Sequence, residues 1–224
     1  MSLTPSIDIY AMRGSVLVTA PAAEPVTVAE VKAALVIPGT ADDSLIGDLI
    51  TEAREEIENL LGLAMISQSW RLSLDSWPRK GEPWWDGVRE GAISELQGAF
   101  SDVRLPVYPL QSITTVKTYD DADNETSVTV ADVFHVDTYQ RPGRLTLKSG
   151  SAWPAALRSQ NAIQVVYVAG YGDDATDVPS PLRRAVRQMA AYMYEHRGDG
   201  CSTEEALKAS GAAAAVDRYK VKRV

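Results

Sequence analysis

The sequence predicts an α+β fold: a small helical bundle carrying a β-rich antiparallel insertion, with extended N- and C-terminal arms. Three observations carry that expectation. Apolar residues recur at helical spacing over about 42–61 and again over about 181–197. Between them, over about 65–168, the pattern switches to short runs rich in Thr, Val, Ile and Tyr, separated by turn residues. At both ends the periodicity fades. The expected organisation is an arm over 1–26, a main domain over 27–198 and a tail over 199–224.

Residues 1–26 hold Pro5, Gly14, Pro21 and Pro25 without a sustained period, as an extended arm would. Thr27-Val-Ala-Glu30 fits a capping box that opens a short helix, about 27–36, ended by Pro38-Gly39. In the helix over about 42–61, Leu45, Ile46, Leu49, Ile50, Ala53, Ile57, Leu60 and Leu61 form the packing face. Asp48, Glu52, Arg54, Glu55, Glu56 and Glu58 are assigned to the solvent side. Asp42 and Asp43 suit the positive end of the helix dipole, and Gly62 suits its C-terminus.

Strands are expected at Ser67–Leu74, Val103–Val107, Ser112–Tyr119, Thr126–Val130, Phe134–Asp137, Arg144–Lys148 and Ala162–Val168. Asp121-Ala-Asp-Asn124 and Arg141-Pro-Gly-Arg144 supply turns, so a meander of antiparallel hairpins is the economical arrangement. The piece 78–100, with Trp84-Trp85, has no clear period and reads as a loop. Ser180-Pro181 opens the last long helix, with Leu182, Ala185, Val186, Met189, Ala190 and Met193 as its apolar stripe. Ser202-Thr-Glu-Glu205 is a second capping box, but the alanine-rich stretch after it has few large apolar groups and is expected to need a partner.

Charge and composition exclude several functions. The 224 residues carry 22 basic and 30 acidic side chains, a formal net charge of -8. That balance argues against a duplex-DNA binder held by phosphate neutralisation. A single cysteine, Cys201, and two histidines, His135 and His196, leave no disulfide framework and no Cys-rich zinc cluster. No apolar run approaches the roughly 18 residues of a membrane span, so the chain reads as one kept in a reducing cytoplasm.

The candidate chemistries are weak. Glu52 with Glu55 or Glu56 could form a hydrolytic acid pair, but a solvated face offers no desolvation to raise a pKa. Asp121, Asp123, Glu125 and Asp132 approach the spacing of a calcium loop, yet Thr126 stands where glycine is demanded. Gly170-Tyr-Gly172 lacks the lysine of a phosphate loop and leads into Asp173 and Asp174, so it reads as a turn. Arg183, Arg184, Arg187 and Arg197 lie on the polar side of the last long helix. They either pair with the acidic helix or contact a neighbouring copy. Trp70, Trp77 and Trp153 suit core or interface anchors. No catalytic residue, metal site or cofactor emerges.

The ordered set of segments resembles the head-to-tail connector (adaptor) proteins of long-tailed bacteriophages, prophages and gene transfer agents. The matching stretches are Pro25-Val-Thr-Val-Ala-Glu-Val-Lys-Ala-Ala-Leu35, Asp42-Asp-Ser-Leu-Ile46, Ala53-Arg-Glu-Glu-Ile-Glu58 and Leu105-Pro-Val-Tyr-Pro-Leu110. They continue with Trp153-Pro154, Val168-Ala-Gly-Tyr-Gly172, Val178-Pro179, Tyr194-Glu-His-Arg197 and Asp217-Arg-Tyr-Lys220. The resemblance implies a connector-type helical bundle assembled as a homo-oligomeric, dodecameric ring beneath the portal protein. Such a ring extends the DNA channel without binding DNA specifically and meets a stopper or tail-completion protein. On that reading Asp48, Glu52, Glu55, Glu56 and Glu58 are expected to line the channel or, with Arg183, Arg184 and Arg187, a subunit interface. The tail, through Arg218, Tyr219, Lys220, Lys222 and Arg223, is expected to dock on the portal. The implied place is the bacterial cytoplasm during assembly and the neck of the particle afterwards. The competing readings are a carboxylate-dependent hydrolase of the particle and a DNA-binding assembly factor.

Overall fold

Residues 14–77, 102–155, 157–199 and 202–220 are described in the computed structural model. Trp84-Trp85, Cys201, Lys222 and Arg223 lie outside the described residues. In chain order the first elements are β1 (Ser15–Thr19), α1 (Val28–Leu35), α2 (Asp43–Leu61), β2 (Gln68–Leu74), β3 (Asp102–Leu105), β4 (Leu110–Tyr119) and β5 (Glu125–Val128). Then come the helical turn α3 (Val130–Val133), β6 (Phe134–Asp137), β7 (Gly143–Leu147), β8 (Ile163–Ala169), α4 (Ser180–Glu195), α5 (Thr203–Ala209) and α6 (Ala213–Val216). The chain forms two compact units, Met1–Thr19 with Ser69–Val168, and Ala20–Gln68 with Ala169–Val224.

In the helical unit, α2 and α4 pack on each other and α1 packs on both. The apolar spacing predicted for the long helices is the core. Val31, Ile46, Ile50, Ala53 and Ile57 are sealed in the same unit as Leu182, Ala185, Val186, Met189 and Ala190. The Tyr194 hydroxyl donates to Asp42 Oδ2 at 2.7 Å, so the end of α4 meets the start of α2 and the two helices run antiparallel. Both expected capping boxes form. Glu30 N–H donates to Thr27 Oγ1 at 3.2 Å while Thr27 N–H donates to Glu30 Oε2 at 2.8 Å. Ser202 and Glu205 repeat the exchange ahead of α5. Gly62 closes α2 in the left-handed conformation at φ 70, its N–H donating to Glu58 O at 2.8 Å.

The Gly170-Tyr-Gly172 turn has a packing reason. Tyr171 N–H donates to Met65 O at 3.1 Å, and Ser67 N–H donates to Gly172 O at 2.9 Å. A Cβ at Gly170, whose φ is +144, would lie 2.7 Å from the Ile66 backbone, so two chain segments approach as only glycine permits.

In the β-rich unit the strands form two sheets, in the orders β1-β2-β8-β4-β5 and β3-β7-β6. The hairpins β4–β5 and β6–β7 are antiparallel as the turn residues predict. Asp120 Oδ1 accepts the N–H groups of Ala122 and Asn124, both at 2.9 Å, and fixes the first turn. A simple meander is corrected, however, because β8 inserts between β2 and β4. The fourth expected strand also ends early, at Val128, and Val130 opens a helical turn instead. Residues 15–19, expected in the arm, pair antiparallel with β2 as an edge strand. Trp77 and Trp153 stack with ring centroids 4.8 Å apart, and Phe134 tilts against both. Trp77 Nε1–H donates to the Pro154 backbone carbonyl at 3.0 Å.

Candidate assembly surfaces

The polar residues of α2 divide into two groups. Arg54 is 4% exposed and Glu58 8%, so the sequence-based assignment of both to the solvent side is corrected. Arg54 donates to Glu24 Oε2 at 2.8 Å and to Glu58 Oε2 at 2.7 Å. Glu58 Oε1 accepts Met65 N–H at 2.6 Å and Gln68 Nε2 at 3.0 Å. Burial pushes the Glu58 carboxyl above its ordinary range, against the pull of Arg54, Met65 and Gln68. Burial also works against the Arg54 charge, but Glu24 and Glu58 outweigh it and hold the guanidinium above its usual value. Glu58 therefore clasps α2 to the segment running into β2, with both its oxygens committed to donors. It belongs to the interior of the unit.

The second group stays outside. Asp48 and Glu52 are exposed, the Glu55 side chain is 60% exposed, and Glu56 is half-buried. Asp48, Glu52 and Glu55 follow one another at i, i+4 and i+7, a single acidic stripe. On α4, Arg184 is exposed while Arg183 and Arg187 are half-buried. The expected pairing of these arginines with the acidic helix is not made. Among the described residues Arg183, Arg184 and Arg187 form no salt bridge, and the buried Arg183 Nε has no hydrogen-bond acceptor. The Glu30 carboxyl on α1 is held below its usual range chiefly by the Thr27 N–H, with smaller contributions from Arg183 and Arg187. Arg197 is occupied within its own helix end, lying over the Tyr194 ring at 4.5 Å and donating to Tyr194 O at 2.9 Å.

The tail is more ordered than its composition predicts. α5 and α6 pack on α4, and Ala206, Leu207, Ala212 and Val216 are buried, so residues 203–216 are packed on their own chain. Small residues make this possible, because alanines let a short helix sit close enough to α4 for two large side chains to seal the contact. Beyond Val216, Arg218 and Lys220 are exposed and Tyr219 is half-buried. Lys220 pairs with Asp217 at 2.6 Å.

Two of the four calcium-loop acids are paired within the β-rich unit. Asp123 pairs with Arg158 and Glu125 with Lys117, each at 2.7 Å. Among the described residues no group of three or more His, Cys, Asp or Glu side chains is placed to hold a metal ion, and no helix is long and apolar enough to cross a membrane.

Residues 25–80 match the family model of the phage gp6-like head-tail connector protein. This segment spans the Thr27 capping box, α1, α2 and the Arg54–Glu58 clasp. A chain in the neck of an empty gene transfer agent particle computed with C6 symmetry is 23% identical, with a TM-score of 0.72, covering 94% of this chain and 96% of that one. Chains from the virion of the native gene transfer agent particle and from the neck of the native particle computed with C12 symmetry are each 24% identical. Both have a TM-score of 0.69 and the same coverage. No curated protein matches the chain. Residues 25–80 are thus similar to the phage gp6-like head-tail connector family, and the fold is shared along nearly the whole chain with chains of gene transfer agent particles.

Proposed function

We propose that this protein is a structural head-to-tail connector subunit that works as a homo-oligomeric ring in the neck of a phage-like particle. The observation that carries the reading is the combination of a connector-family segment at 25–80 with a fold that matches neck chains over 94% of this chain. The C6 and C12 symmetries of those necks support a closed ring. The ring sits below the portal, extends the DNA channel and offers its far side to a stopper or tail-completion protein. A net charge of -8 suits a conduit that must not grip phosphates. Only charges within about 8 Å of the DNA matter at physiological salt. The work is done by shape and contact, in the bacterial cytoplasm during assembly and in the neck thereafter, with no reaction and no cofactor.

Portal docking is assigned to the segment after Val216, with Arg218, Tyr219 and Lys220, continued by Lys222 and Arg223. Mass measurement of the purified chain, alone and mixed with portal, tests the proposal. Rings built on the portal are the expected result, and a chain that stays monomeric in both conditions overturns it. Removing residues 217–224 leaves the buried Val216 in place and should abolish portal binding with unchanged circular dichroism. Retained binding would move the portal site elsewhere.

A further inference from the structure

We infer that the acidic stripe of α2 in one copy docks on the arginine cluster of α4 in the next, so that the ring closes head to tail through opposite charge. This inference rests on the connector reading and names the partner of its two charged surfaces. Asp48, Glu52 and Glu55 line up along about 10 Å of one helix face. Asp48 and Glu52 form no salt bridge among the described residues, and Glu55 touches only Arg54, at 3.3 Å. Like charges at i, i+4 repel, so the stripe is unfavourable in an isolated chain.

The arginine cluster is unfavourable for a different reason. Arg183, Arg184 and Arg187 are the fourth, fifth and eighth residues of α4; the positive end of the helix dipole opposes the cations nearest the start, and the first turn has no acidic residue. The acid that lies nearest in effect, Glu30, is committed to both the N–H and the hydroxyl of Thr27. The unit therefore carries two charged patches of opposite sign on different helices, and among the described residues Asp48, Glu52, Arg183, Arg184 and Arg187 form no salt bridge. A contact between different patches on successive copies is heterologous, the kind that closes a cyclic ring. Each patch then removes the other's cost and sets the register of the neighbours.

Two variants test the contact, one carrying D48K, E52K and E55K, the other R184E and R187E. The milder pair Glu52→Lys and Arg184→Glu serves if either fails to show native circular dichroism. Each variant alone places like charge against like at every junction and should form rings on the portal at least tenfold less than the original protein. An equimolar mixture should restore rings, with the two variants alternating, because every junction then joins acid to base. Rings from either variant alone, or no rescue on mixing, overturns the contact. A stripe variant that assembles normally but retards DNA passage assigns the stripe to the channel instead. An arginine variant that assembles normally but loses binding to duplex DNA assigns the cluster to phosphate. Failure of the original protein to form rings overturns the connector reading itself, which keeps the two failures distinguishable.

Discussion

The two sides of α2 hold the same kinds of side chain under opposite conditions. On the inner side, Glu58 is surrounded by Arg54, Met65 N–H and Gln68, which offset part of the cost of burying its charge. On the outer side, Asp48 and Glu52 face solvent and have no ionic partner among the described residues. The inner acids and bases hold one protein unit together, and the outer ones are available for a contact the unit itself does not supply. Burial and partners decide which carboxylate serves the fold and which is left to the proposed ring contact.

The largest expected effect comes from the inner side. Glu58→Ala leaves Arg54, Met65 N–H and Gln68 short of an acceptor. It should cost roughly 3–5 kcal/mol in urea unfolding, the usual result of removing one partner of a buried pair. A loss below about 1 kcal/mol would mean that the clasp is not what holds this helix. The pH dependence follows from the raised Glu58 value. The part of its contribution that depends on titration is fully present below the ordinary carboxylate range and is lost as pH rises through the folded value, while the contacts of the clasp remain. Glu58→Gln should flatten that part of the stability profile, and an unchanged profile would contradict the shift.

An intermediate effect belongs to Glu30, an acid satisfied by backbone rather than by burial. Thr27→Ala removes the capping box and should cost about 1 kcal/mol. The Glu30 carboxyl, held low by Thr27, supports the fold above the ordinary carboxylate range and loses that contribution as pH falls through its folded value. In the Thr27→Ala variant, which keeps the backbone N–H that chiefly holds Glu30 low, an NMR titration should show Glu30 rising only slightly while staying below its ordinary range. The smallest effect is on the outer stripe. Glu52→Gln should change stability by no more than about 0.5 kcal/mol, in the stabilising direction, because it relieves like-charge repulsion along the helix. A large loss would place Glu52 in an intramolecular contact.

Much of the helical unit was legible in the sequence because its signals are local. The Thr27 and Ser202 boxes span three residues, and the apolar spacing of α2 and α4 directly marks their packed faces. The buried pair was missed because a charged residue in a helix is first assigned to water. Ile50, Arg54, Ile57, Glu58 and Leu61 nonetheless share one side at i, i+4, i+7, i+8 and i+11, and that spacing was the available signal. The sheet order was not legible, since inserting β8 between β2 and β4 joins segments far apart in the chain. Edge strand β1 was hidden by the prolines around it, although Ser15-Val-Leu-Val-Thr19 is itself a strong strand sequence. For the candidate assembly surfaces, the sequence located the charges, but only the fold revealed which of them form no ion pair among the described residues.

Imaging particles made without this protein tests the central claim most directly. The account predicts DNA-filled heads that keep their portal, lack the neck ring and tail, and gain both when purified protein and tails are added. Complete particles with an intact neck ring in its absence would contradict the account.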